Sequence, residues 1–275
     1  MSSWTLRPFM VGHARVCERL LRANPLPEMR FLDVLAPETL PFFHLLNAAN
    51  HVAFGGMGMP AWVQLDCCTL PTAMIGYAIP RHEIPEDTWG RLVGAVSRNF
   101  GEPAARALQG YNGLVPVSEY CALPTWEEGT LVGFSLFTLL RGEGLGARTK
   151  ALALRCYNAR VQIGITQYTN SAIRTHTLLG PLRIAAPQAW PHTRPEDTFV
   201  YELTIPSTQV LDALVRDGVP PDRQEPAYEF EVVAEPLRTA LEVTDLQKRH
   251  GPLEVVWPGL ARKGGQSVLR LRRAR

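Results

Sequence analysis

The spacing of apolar residues changes along the chain, and each change predicts an element. Between Thr5 and Asn24, Val11, Val16, Leu20 and Leu21 recur at roughly helical intervals, ahead of two prolines. A second helix is predicted from Pro37 to Asn50, with Leu40, Phe43, Leu45 and Leu46 on its apolar side. The glycine-rich stretch Phe54 to Pro60 marks a turn or boundary. Two short apolar runs, Ala61 to Leu70 and Ala73 to Ile79, then read as strands of a hairpin. Trp89, Leu92, Val93, Val96 and Phe100 predict a helix over Glu86 to Phe100, and a short helix is expected from Pro103 to Gln109. Val115 to Leu123 and Leu131 to Leu140 predict another strand pair.

Beyond Leu140 a glycine-rich loop leads into a segment with helical spacing, followed by a strand-like run from Val161 to Thr169. Leu182 to Ala185, Phe199 to Ile205, Tyr228 to Val233, Leu241 to Val243 and Leu253 to Trp257 are further strand candidates, and Thr208 to Arg216 is a predicted short helix. Together these give an α+β chain with a mostly antiparallel mixed sheet, flanking helices, a helical N-terminal segment and a strand-rich C-terminal part. The expected organisation is a helical segment over residues 1–55, an α+β body over 56–260 and a basic tail over 261–275. Within the body, 61–100 and 115–158 share a Cys-to-Leu-Pro-Thr corner before an apolar run and a helix, which suggests a ββα duplication.

Composition narrows the chemistry. The 275 residues, 46% of them hydrophobic, can bury a substantial core. A net charge of +2 from 28 basic and 26 acidic residues gives no overall field for nucleic acid. Basic residues crowd only the C-terminal stretch, where Arg262, Lys263, Arg270, Arg272, Arg273 and Arg275 stand without an acid; with no interleaved aromatics and a nearly neutral chain, a frayed or edge-strand tail is expected rather than a nucleic-acid or anionic-lipid contact. No apolar run is long enough for a membrane span, and no secretory pattern opens the chain, so a cytoplasmic protein acting on a small molecule is expected. Five cysteines without a CxxC pair read as reduced buried thiols, and no histidine spacing predicts a metal site. The only lysines are Lys150, Lys248 and Lys263, so Schiff-base chemistry has three candidates.

The candidate chemistry centres on Arg141-Gly142-Glu143-Gly144-Leu145-Gly146. Glycines at the start of a helix leave its N–H groups and the positive end of its dipole free to meet a phosphate. They would equally suit a turn that only relieves backbone strain. No Gly-Lys-Ser/Thr closes the loop, which sets aside the Walker pattern. Lys150, one turn further on, could reach a phosphate or simply be solvated. Glu119, mid-strand in VPVSEYCAL, is a candidate general base beside the loop strand, with exposure on the strand's polar face as its ordinary alternative.

The pattern Arg-x-x-Gly-x-Gly resembles the acyl-CoA pyrophosphate loop of the GNAT (Gcn5-related N-acetyltransferase) family. The stretch from Asn170 through Ala172-Ile173 and His176 to Leu179-Gly180 is similar to that family's Asn, Ala-Ile, Tyr, Leu-Gly helix, with His176 where a Tyr is common. The resemblance covers about residues 130–180 and lacks the family's Val-x-Pro approach to the loop. It implies transfer of an acyl group from acetyl-CoA or another acyl-CoA to an amine. Arg141, Gly142, Gly144, Gly146 and Asn170 would then bind the co-substrate, and His176 would protonate the leaving thiolate.

A rival resemblance runs from about Ala61 to Pro258. If Ala172 to Leu179 is a strand, the region looks like the acetoacetate decarboxylase-like β-barrel fold, with ALEVTDLQKRHGPLEVVW as late strands. That family's Schiff-base lysine is expected after Gly180, yet no lysine occurs between Lys150 and Lys248. A barrel of this kind would be a small-molecule binding protein or an enzyme of altered chemistry. The alternation of Ile173, Thr175, Thr177 and Leu179 favours a strand there, so Ser171 to Leu179 discriminates between the two resemblances.

Overall fold

The computed structural model describes residues 4–24, 26, 28–69, 72–140, 144–189, 197–220 and 225–274. The chain forms two compact units, one of Met1–Pro124 with Phe134–Asn158 and one of Thr125–Gly133 with Ala159–Arg275. Helices flank mixed, mostly antiparallel strands in an α+β arrangement, as the apolar spacing predicts.

In the first unit β1 (Arg7–Gly12) lies between β2 (Arg30–Asp33), which is parallel to it, and β3 (Met74–Pro80), which is antiparallel. β3 in turn pairs antiparallel with β4 (Leu114–Pro124), Ile75 facing Tyr120. The continuous apolar run of β3 fits a strand buried on both faces, and its first six residues are all buried. Around these strands stand α1 (Ala14–Ala23), α2 (Leu40–Phe54), α3 (Ala61–Thr69), α4 (Glu86–Phe100), α5 (Glu102–Arg106) and α6 (Leu145–Tyr157). α2 packs on α4 and β4, and α6 packs on β3 and β4.

Two expectations for this unit are corrected. The helix predicted from Thr5 begins only at Ala14, because Arg7 to Gly12 pair with both β2 and β3 as a strand. The run from Ala61 to Leu70, expected as a strand, is helix α3 through Thr69, and β3 finds its partners in β1 and β4 instead. The helix buries Gln64, Cys67 and Cys68, which recur at helical spacing, while Trp62 is 69% exposed and Leu65 also faces out. Its buried face is polar and thiol-bearing, so hydrophobicity points to the wrong side.

The second unit begins with Thr130 to Val132 of β5 (Thr130–Thr138), which run parallel to β6 (Val161–Gln167). β6 pairs antiparallel with β8 (Thr198–Thr204), β8 with β7 (Leu182–Ala186), and β7 with β10 (Leu253–Lys263). β11 (Gln266–Arg273) follows antiparallel to β10, and β9 (Phe230–Val233) pairs with β11. Three helices complete the unit: α7 (Ala172–Thr177), α8 (Thr208–Asp217) and α9 (Arg238–His250). Gly259 at φ 73° lets β10 pass close to α7, since a Cβ there would lie 2.4 Å from the Ile173 methyl.

Here too the apolar pattern misleads locally. Leu241 to Val243, expected as a strand, lie within α9, whose buried Ala240, Val243 and Leu246 follow helical spacing while Leu241 is exposed. The basic C-terminal stretch is no frayed or edge strand: β11 lies between β10 and β9, and acids in those strands and in the segment before β9 pair with it. Arg272 pairs with Glu254, Arg273 with Glu229, and Arg270 with Glu231 and Glu225.

Candidate active site

In the first unit the chain leaves β5 and enters α6 through Gly144, which adopts the left-handed conformation (φ 63°, ψ 21°) at the N-cap of the helix. Only a residue without a Cβ takes this conformation at little cost. Among the described residues no side chain caps α6, and no acid stands in its first turn; the first intrahelical bond runs from Arg148 N–H to Gly144 O. The N–H groups of Leu145, Gly146 and Ala147 thus precede the helical ladder, at the positive end of a 13-residue helix. Arg141 and Gly142, expected to hold the co-substrate with Gly144 and Gly146, lie outside the described residues.

Helix α6 is fixed to β4 by a polar contact. Thr149 Oγ1 donates to Leu145 O at 2.7 Å and lies 2.7 Å from Ser118 Oγ, which also accepts the Tyr77 N–H. Lys150 is fully buried, and burial holds its amine well below the ordinary lysine range. Neither a solvated lysine nor a phosphate-reaching one fits that burial.

Glu119, next to Ser118, is fully buried as well, which overturns exposure on the polar face of β4. Burial pushes its carboxyl up to about 8, against the opposing hydrogen bond from Ser135; Cys67 raises it and Asn50 lowers it. Ser135 Oγ donates to Glu119 Oε2 at 3.3 Å and accepts from Asn50 Nδ2 at 3.2 Å. Asn50 Oδ1 accepts the Met59 N–H, and Asn47 reaches both Met59 O and Gln64 Oε1. Cys121 hydrogen-bonds Cys67 beside this network, holding the Cys67 thiol below its usual range and its own above. Among the described residues Glu119 Oε1 and Gln64 Nε2 find no hydrogen-bond partner. A buried carboxyl oxygen without a partner costs about 1–3 kcal/mol, and such groups concentrate where a site has work to do.

The sequence pattern does not single out Asn50, Ser135, Gln64 or Cys67. One signal was available: Asn47 and Asn50 recur three apart on a largely apolar helix, where a buried polar pair needs a partner.

His176 and Asn170 belong to the second unit. Ser171 to Leu179 is helical around α7, not a strand. His176 is buried there, its ring 5.4 Å from that of Tyr201. Asn170 Oδ1 accepts the Ala172 N–H at 2.9 Å, which gives that side chain a capping role at the start of α7. Glu119, Gly144 and Gly146 therefore share one unit, and His176 and Asn170 the other.

Among the described residues no group of three or more His, Cys, Asp or Glu could hold a metal ion, and no helix is long and apolar enough to cross a membrane. No family model matches the chain. No curated protein matches it either. Among solved structures, the acetyl-CoA-bound form of yncA from Salmonella typhimurium, described as "a putative acetyltransferase", is 24% identical over 44% of this chain and 75% of its own. The TM-score is 0.28, too low to define a shared fold.

Proposed function

We propose that the chain transfers an acyl group from CoA to an amine by direct attack on the thioester. The observation that carries this reading is the run from β5 through the left-handed Gly144 into α6, whose first turns pack on β4 through Thr149 and Ser118. The helical conformation of Ser171 to Leu179 supports it over the barrel alternative, which needs a strand there. The helix at Arg238–His250 counts against the barrel for the same reason.

In this mechanism the N–H groups of Leu145, Gly146 and Ala147, with Arg141, hold the diphosphate of the co-substrate. The backbone of Leu136 to Leu140 pairs with its pantetheine arm, which orients the thioester. Glu119, directly or through a water, accepts the proton that the amine sheds as its nitrogen bonds to the acyl carbon. The thiolate leaves as the carbon–sulfur bond breaks and takes its proton from water. A base titrating near 8 is mostly protonated at neutral pH, so transfer accelerates as pH rises towards that value.

Calorimetric titration of the purified protein with acetyl-CoA and longer acyl-CoAs, repeated on Gly144→Asp, tests the reading. Binding in the micromolar range is expected, corresponding to about −8 kcal/mol, and the substitution should abolish it by adding a carboxylate where the diphosphate sits. No heat with any CoA ester would overturn the proposal.

A further inference from the structure

A cavity of about 690 Å³ in the second unit is lined by Arg183, Glu202, Thr204, Glu254 and Arg272, with apolar walls that include Val161 and Pro252. Its floor is a row of charges on neighbouring strands. Register pairs Glu202 of β8 with Arg183 of β7, Arg183 with Glu254 of β10, and Glu254 with Arg272 of β11. Adjacent strands lie about 4.8 Å apart, so the order is negative, positive, negative, positive in even steps.

The row is not evenly bonded. Arg183 Nη1 bonds Glu202 Oε2 at 3.1 Å, and Arg272 Nε bonds Glu254 Oε1 at 2.5 Å. Among the described residues no ion pair joins the two central members, although Arg183 and Glu254 are register partners. Each is drawn to its outer neighbour, and among the described residues no further partner meets the rest of the Arg183 fork or Glu254 Oε2. The Glu254 side chain is only 12% exposed, a poorly hydrated position for a carboxylate oxygen with nothing to accept from. Arg183 is 58% exposed and has donors to spare in a geometry suited to a carboxylate.

We propose that this break in the row binds a small zwitterion, a free amino acid. Its carboxylate meets the Arg183 guanidinium and its ammonium meets Glu254 Oε2, so the ligand continues the alternation of charge across the sheet. Thr204 supplies a hydroxyl to the same cavity. An anion alone would take Arg183 but face the Glu254 carboxylate, and a cation alone would take Glu254 but face Arg183. The site therefore selects for both charges in one molecule. The proposal is independent of the acyl-transfer reading, which rests on the first unit.

The test is NMR titration of the isotopically labelled full chain with each of the common amino acids, and separately with sodium acetate and methylammonium chloride. At least one amino acid should shift the resonances around residues 183, 202 and 254, while acetate and methylammonium bind at least about tenfold more weakly. Arg183→Met and Glu254→Gln should each weaken the amino acid by about tenfold or more, a change of ~1.4 kcal/mol. Glu242→Gln, in α9 and not among the residues that line the cavity, should leave binding unchanged. If Glu254→Gln fails to fold, the half-exposed Arg183 variant decides the matter alone. Absence of shifts with every amino acid at about 10 mM, equal binding of acetate, or binding that survives Arg183→Met would each overturn the proposal.

Discussion

Gly76 of β3 stands directly opposite Glu119 of β4, and a Cβ at position 76 would lie 2.0 Å from the Ser118 carbonyl oxygen and 2.9 Å from the Glu119 Cα. Both nearest groups are backbone, so neither can swing aside as a side-chain tip could. The approach of the two strands that seats the buried carboxyl thus depends on a residue without a side chain. Gly76→Ala is expected to force β3 and β4 apart and to cost about 1–3 kcal/mol, read as a lower midpoint in urea denaturation.

Glu119 couples stability to pH in a defined direction. Its folded value of about 8 lies above the ordinary 4.5, so the folded state favours the neutral carboxyl. The stability this gives is fully present below about pH 4.5 and is lost progressively as pH rises through 8, by an amount on the order of several kcal/mol. Denaturation midpoints taken at a series of pH values should fall across that window in the parent protein and stay flat, as far as this group is concerned, in Glu119→Gln. Ser135→Ala removes a hydrogen bond that lowers the Glu119 value, so it should extend the decline to higher pH. A parent protein whose midpoint rises between pH 5 and 8, with Glu119→Gln showing the same rise, would contradict this assignment.

His176→Gln keeps a polar side chain of similar reach in α7 but cannot shuttle a proton at neutral pH. Turnover and acyl-CoA affinity are both expected to be retained, because the proposed mechanism draws its groups from the first unit alone. Single-turnover acyl transfer and calorimetry on the same sample separate the two effects. A rate lower by about 10²–10⁴ with affinity unchanged would contradict that mechanism and assign a proton transfer to His176.

Asn170 tests a structural role against a binding one. Its Oδ1 caps the start of α7, so Asn170→Ala should lower stability by about 1 kcal/mol, and Asn170→Asp should retain most of it. If acyl-CoA binding falls in both variants while stability is restored by Asp, the amide contributes to the co-substrate as well.

Much of the α+β arrangement could be read from periodicity because the long elements obey it. Glu86 to Phe100 coincides with α4, and the strands at Leu114–Pro124 and Thr130–Thr138 lie where the apolar runs place them. α3 escaped because its inward residues are Gln64, Cys67 and Cys68 and its most apolar residues face out, an arrangement that mimics a strand by composition. α7 stayed open between helix and strand for a different reason: Ile173, Thr175 and Thr177 carry strand propensity, yet the Asn170 cap and the close passage at Gly259 support a helix. Of the candidate site, Glu119 was visible as a lone acid in an apolar strand. Its partners were not, because Asn50 and Ser135 come from elements 69 and 16 residues away in sequence from Glu119, and no local pattern joins them.

The division of the chain has a practical consequence for anyone making fragments. The polypeptide passes from one unit to the other after Pro124, back after Gly133 and across again after Asn158. No single stop codon or new start codon therefore yields either unit whole. A recombinant piece beginning at Ala159 would lack Thr130 to Val132, leaving the backbone of Val161 to Ile163 without its parallel neighbour. An exposed strand edge of that kind recruits other chains, so such a product should accumulate as insoluble material rather than as a miniature of the second unit.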